Sequence, residues 1–209
     1  MADALSHHRE PVQRVVRTAK QGSARDAIGT LTPGCEVLVL TYGQFSLIDG
    51  LVALLDQTGP ADLLLSTWTA GDTDLTTAAA LLESAAITRL RMIVDRSFLT
   101  RQPGYCQRMR ELFGDESIRT LRSHAKFAVI RNERWSLAVR TSMNLNTNPR
   151  LEQMEVSDDP GLADFLETIA ADLWTEQAAG EFAGELPALH SLKNVDRPGR
   201  VTGVGSVTL

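Results

Sequence analysis

SHAKFAVIRNERWSLAVRTSMNLNTNPRLEQ, residues 123–153, is the stretch on which the reading of this chain turns. Two apolar runs flank a polar RNER turn, which predicts an antiparallel hairpin. Side chains alternate along a strand, so His124 and Lys126 are expected on one face and Ala125, Phe127 and Val129 on the other, toward a core. The return strand should bring Ser142 and Asn144 level with the start of the first, and Glu152 follows on a further short strand. An imidazole serves as nucleophile or general acid near neutral pH. A Lys ammonium and an Asn amide beside it donate to phosphate oxygens. Glu152 is expected to accept the far ring N–H of His124 and fix its tautomer.

Upstream of the hairpin the pattern alternates. CEVLVLTY (35–42), ADLLLSTWT (61–69) and ITRLRMIVD (87–95) are short apolar runs expected of buried strands. FSLIDGLVALLDQTGP (45–60), DTDLTTAAALLESA (72–85) and GYCQRMRELFGD (104–115) read as helices, the first closed by Gly59-Pro60 and the second capped by an Asp or Thr. Downstream, LEQMEVS is a strand, and Leu162, Phe165, Leu166, Ile169 and Leu173 fall at helical spacing. The expected fold is therefore α/β, a mixed and mainly parallel sheet flanked by helices. Residues 1–30 read as an N-terminal appendage with a short amphipathic helix over 11–20, residues 31–184 as the body, and residues 185–209 as an extended or disordered arm.

Composition sets the outer bounds. The chain has 209 residues, 43% hydrophobic and 22% charged, enough for a sizeable core without staples. No apolar run reaches membrane-spanning length, and the start has no apolar leader core. Cys35 and Cys106 lack zinc or disulfide-scaffold spacing, so free thiols, a reducing compartment and a cytoplasmic address are expected. No metal cluster or phosphate-cradling Gly loop is legible, and no cofactor is expected. Net charge is −5, yet residues 89–150 carry 13 Lys/Arg against 5 Asp/Glu, and the remainder 8 against 21. A basic middle attracts a polyanion, with Arg122, Arg131, Arg140 and Arg150 as expected contacts.

Residues 123–153 resemble the HKD signature of the phospholipase D superfamily: His-x-Lys at 124 and 126, a Ser-x-Asn turn at 142 and 144, and a downstream Glu at 152. The likeness covers roughly residues 36–174, and GLADFLETIAADLW resembles the helix after the motif in single-motif nucleases of that superfamily. Arg131 stands where the family has an Asp, Thr141 where it has a Gly, and the hairpin is longer by three residues. The resemblance implies a metal-independent phosphodiesterase with a phosphohistidine intermediate on His124. It also implies a homodimer, because two such elements make one site and this chain supplies one. Lys126 and Asn144 would then neutralise the phosphoryl oxygens, with Ser142 and Glu152 orienting the histidine. Nucleic acid is the expected substrate, since no lipid-facing element is legible. The competing reading is an inactive subunit of the same fold that binds nucleic acid or a protein partner through its termini.

Overall fold

The computed structural model describes residues 8–10, 12–19, 22–146 and 149–181; the expected arm at 185–209 lies outside them. Among the described residues, eight strands form one sheet. They are β1 (Arg14–Ala19), β2 (Glu36–Thr41), β3 (Ala61–Thr67), β4 (Ile87–Asp95), β5 (Ile118–Leu121), β6 (Phe127–Arg131), β7 (Ser136–Thr141) and β8 (Glu152–Asp158). Their spatial order is β1-β2-β8-β7-β6-β3-β4-β5. Six strands run in one direction; β6 and β8 run against them, so the sheet is mixed, with parallel pairs at both flanks and antiparallel pairs between. The α/β class with flanking helices is as the sequence predicts.

The two-residue period sorts the strands onto two faces. Leu63, Leu65, Met92, Val94, Ala128, Ile130, Leu137 and Val139 face one core. That core is covered by α1 (Ala24–Ile28), α2 (Leu47–Thr58), α3 (Asp72–Glu83), α4 (Phe98–Arg101) and α5 (Pro103–Phe113). Leu64, Ile93, Phe127, Val129 and Ala138 alternate with them and pack under α6 (Pro160–Glu176) through Ala163, Leu166, Ala170 and Leu173. The central strands are apolar on both faces because both faces are covered.

Local chemistry explains the helix bounds. A capping box opens α2: Asp49 Oδ2 accepts from Ser46 N at 2.8 Å, and Ser46 Oγ accepts from Asp49 N. Gly59, at φ 76°, closes it. Inside α2, Gly50 lets the helix approach β8, since a Cβ there would lie 2.8 Å from Met154. The N-cap of α3 is Gly71, not the expected Asp or Thr.

Two expectations are corrected. The segment expected to be a helix over 11–20 holds β1, a parallel edge strand paired to β2 from Arg14↔Glu36 to Ala19↔Thr41. Its Val15, Val16 and Thr18 are β-branched, and pairing with β2 gives its backbone partners that a helix with so narrow an apolar face could not outweigh. The helix α1 follows with its own Ser23–Asp26 capping box and buries Ala24, Ala27 and Ile28. Residues from Arg14 onward thus belong to the sheet and its cover rather than to an appendage ending at 30. The second correction concerns the hairpin: β6 begins at Phe127, so His124 and Lys126 precede the strand. Side chains claim their backbone, with Ser123 N donating to Asp95 Oδ2 at 3.0 Å, Ala125 N to Ser123 Oγ at 3.0 Å, and Ser66 Oγ to Ala125 O at 2.9 Å.

In the first turn of α3, Asp74 is 4% exposed and its Oδ2 has no hydrogen-bond partner. Burial, helped by the nearby Asp49 charge and opposed by Ser46, raises its pKa from 3.8 to about 6. The folded state therefore holds this proton more tightly than the unfolded chain. Stability from this group falls as pH rises from about 4 to 6, and the cost is complete above that window. Asp74→Asn should stabilise the protein at pH 8 by about 2 kcal/mol and do little at pH 4. Urea melts at the two pH values measure this; an equal effect at both would contradict it.

Candidate active site

The strand directions gather the carboxyl ends of β2, β3, β4 and β7 at one edge of the sheet, with the starts of β6 and β8 beside them. Registers Phe127↔Ser66, Phe127↔Arg140 and Thr41↔Glu152 align that edge. In open α/β sheets this is the edge where ligands bind. His124 and Lys126 sit here, His124 exposed and Lys126 half-buried. Lys126 Nζ lies 3.3 Å from His124 Nδ1 and donates to its own neighbour's carbonyl, His124 O, at 3.1 Å. Burial lowers the Lys126 pKa, and the Glu152 charge partly offsets this.

Ser142 and Glu152 are joined directly: Ser142 Oγ donates to Glu152 Oε2. Backbone bonds hold the pair, Ser142 N to Gln153 O at 3.1 Å and Gln153 N to Ser142 Oγ at 3.0 Å. Thr141 has a structural task. Its hydroxyl donates to Gln153 O at 2.7 Å and accepts from Met143 N at 3.0 Å, shaping the turn. Asn144 is half-buried, with Oδ1 enclosed and unpaired. The adjoining Leu145 bridges to Ala70 and accepts from Gly71 N at 2.6 Å, which draws the turn against the loop after β3. One expectation is not met: Glu152 is bonded to Ser142, not to His124, because β8 delivers it opposite the turn that carries Ser142.

Three residues that sequence reasoning missed complete the surroundings. Trp68, just past the end of β3, meets the His124 ring in a T-shaped contact, centroids 5.5 Å apart. The Arg101 guanidinium lies over Trp68, 3.7 Å from the ring centroid. Buried Asp95 accepts from the backbone N–H of both Ser97 and Ser123, and from the Ser97 hydroxyl. The available signal was position: STWTAG and VDRS each follow a buried strand at its carboxyl end.

The expected arginine contacts divide. Arg122 and Arg150 are exposed in the segments leading to His124 and Glu152. Arg131 is at the far end of β6, roughly 16 Å from Lys126 at strand rise, and pairs with Asp164 at 2.7 Å. Arg140 pairs with Glu155 at 2.6 Å. Arg91 pairs with Glu167, Arg110 with Asp115, and Arg119 is buried under Trp174. Six of the 13 Lys/Arg in the basic middle of the sequence are thus paired with acids, Arg131 and Arg140 among them. Among the described residues no group of three His, Cys, Asp or Glu is placed to hold a metal ion, and no helix is long and apolar enough to cross a membrane. Both cysteines are free.

No family model matches the chain, and no curated protein matches it. Solved structures do. NucT from Helicobacter pylori is similar at 13% identity and TM-score 0.48, over 69% of this chain and 99% of that one. A phospholipase D family member, Nuc from Salmonella typhimurium, is similar at 15% identity and TM-score 0.49, over 69% and 97%. A polyphosphate kinase from Porphyromonas gingivalis is similar at 15% identity and TM-score 0.49, over 71% of this chain and only 27% of the kinase.

Proposed function

We propose that this chain is a phosphodiesterase of the phospholipase D type, a nuclease that works without a metal ion at a site shared by two copies. The observation that carries the reading is the meeting, at one sheet edge, of exposed His124, Lys126 at 3.3 Å from its ring, and the Ser142–Glu152 pair. In the reaction an imidazole nitrogen of His124 attacks phosphorus, forming a P–N bond as one ester oxygen leaves. That oxygen takes a proton from His124 of the second copy. The second imidazole then accepts a proton from water, whose oxygen attacks phosphorus and breaks the P–N bond. Lys126, and the amide of Asn144, supply donors to the phosphoryl oxygens as their charge grows.

Lys126 Nζ, 3.3 Å from Nδ1, can donate to the ring only while Nδ1 carries no proton, as in the neutral imidazole that serves as nucleophile; the doubly protonated imidazolium is the acid. Lys126 becomes available to the phosphoryl oxygens when it turns from the ring to a phosphate oxygen. The lowered Lys126 pKa helps here, because the incoming anion restores the charge that burial disfavours. Free Cys35 and Cys106 agree with a reducing cytoplasm.

A shared site makes a specific demand on mixtures. Chains carrying His124→Ala, exchanged in excess with unaltered chains, should depress phosphodiester hydrolysis far below simple dilution, because each mixed pair lacks one histidine. Sedimentation should show a dimer at micromolar concentration. Activity that follows dilution alone, or a monomer that cleaves at full rate, would remove the shared site. One observation favours a second reading, a binding or assembly subunit without turnover: Glu152 is engaged by Ser142, and among the described residues no carboxylate is bonded to His124. Nucleic-acid binding with no cleavage by the unaltered chain would select it.

A further inference from the structure

Arg101 is exposed yet immobilised. Its guanidinium lies on Trp68, NH2 donates to Trp68 O at 3.2 Å, and Nε donates to Ser97 Oγ at 2.9 Å, with Ser97 itself held by Asp95. Among the described residues no carboxylate stands within ion-pair distance of it. Six of the twelve arginines of residues 89–150 pair with acids; this one is fixed by a ring, a carbonyl and a hydroxyl, none of which cancels its charge. The Trp68 beneath it touches the His124 ring.

Immediately beyond, a cleft of about 390 Å³ is lined by Asp72, Gln102, Gly104, Tyr105 and Arg108. It adjoins the platform directly: Gln102 follows Arg101 in the chain, and its Oε1 accepts from Thr69 Oγ1 at 2.5 Å, next to Trp68. Tyr105 is 41% exposed. Arg108 is 3.7 Å from Asp72, so this cleft is less positive than the platform and offers acceptor oxygens beside an aromatic surface. His124, Trp68 and Arg101 are thus in contact one after another, and the cleft with Tyr105, Asp72 and Gln102 begins at the next residue of the chain. Planar cations and aromatics in succession suit a polymer whose bases are splayed and stacked, with phosphates between them. In a duplex the base faces are hidden in the stack and cannot reach Arg101 or Tyr105.

We propose that Arg101 on Trp68, continued by the Tyr105 cleft, is the track that receives the nucleotides flanking the scissile phosphate, so that the substrate is single-stranded nucleic acid. The outer face of Arg101 stacks a base or meets a phosphate, and the cleft takes the next base against Tyr105, with Asp72 and Gln102 accepting from its edge. This rests on the placement of the reacting phosphate at His124. Arg101 and Tyr105 are specificity residues and take no part in bond making.

Fluorescence anisotropy of labelled oligo-dT and oligo-U, with an unlabelled duplex of equal length as competitor, tests the track without requiring cleavage. Arg101→Ala and Tyr105→Ala should each weaken single-strand binding roughly tenfold or more. Arg101→Ala should also reduce the salt slope by about 0.7, whereas Arg101→Lys keeps the slope and still loses affinity. Arg134→Ala, in the β6–β7 turn at the opposite edge, should change neither. Thermal melts confirm that each variant is folded. Equal binding by the Ala variants and the unaltered chain, or a duplex that competes as well as a single strand, overturns the proposal. Hydrolysis of bis(p-nitrophenyl) phosphate by the unaltered chain is measured separately. Its absence, with single-strand binding intact and lost in Arg101→Ala, tells against the chemistry at His124 while upholding the track.

Discussion

Replacing His124 with alanine should abolish phosphodiester cleavage, a loss on the order of 10⁴-fold or more, as for removal of the nucleophile from other covalent mechanisms. Under the proposed mechanism, cleavage by the unaltered chain should survive excess EDTA, because the residues gathered with His124 are a lysine, a serine–glutamate pair and an asparagine. The histidine is exposed, and the backbone around it is held by Asp95 and Ser66 through main-chain atoms and Ser123. The substitution should therefore leave the melting temperature within a degree or two, so the loss can be assigned to chemistry. Cleavage that persists in His124→Ala, or that requires added Mg²⁺, would end the phosphohistidine account.

The second large effect is expected at Asp95, and it falls on stability and turnover together. This carboxylate is 6% exposed and accepts from Ser97 N at 2.9 Å, from Ser123 N at 3.0 Å and from the Ser97 hydroxyl. Asp95→Ala leaves two backbone N–H groups without acceptors, at a cost of about 3 kcal/mol. It also unpins Ser123, next to His124, and Ser97, which holds Arg101. Asp95→Asn keeps the shape and one acceptor oxygen, so it should recover part of both losses. Urea denaturation with parallel turnover measurements reads the two effects. An Asp95→Ala protein with unchanged midpoint and unchanged kcat would show that neither link matters.

What could be read in the sequence was local, and what could not was set by distant partners. The α2 helix was legible because Ser46, Asp49 and Gly59 act within a few residues of one another. The hairpin of β6 and β7 was legible because alternation and turn lie in one stretch, and with it the neighbourhood of His124, Lys126, Ser142 and Glu152. Val12, Val15 and Val16 satisfy helical spacing and strand composition alike; the deciding contact is β2, beyond a turn and a helix. The role expected of Glu152 failed for a similar reason. Sequence gives its strand, while the register of β8 against β2 and β7 determines that it meets Ser142. Trp68, Asp95 and Arg101 were invisible as a set, since their common ground is the sheet edge and not any motif. Arg131 looked close to His124 in sequence, yet the whole length of β6 lies between them and Asp164, from α6, takes its charge.

The placement of β8 between β2 and β7 governs when the residues around His124 come together. Before β8 docks, β1 and β2 form one fragment and β7-β6-β3-β4-β5 another, with no strand joining them. Closing the sheet brings Glu36 against Ser157, partners on the order of 120 residues apart, and contacts of such separation form late and slowly. Glu152 travels on that same strand. During synthesis a ribosome-bound chain can display His124 and Lys126 well before the carboxylate that locks Ser142 has emerged. Completion of the sheet and the joining of Glu152 to Ser142 thus depend on the same strand, and a chain whose β8 has not docked holds His124 and Lys126 without that pair beside them.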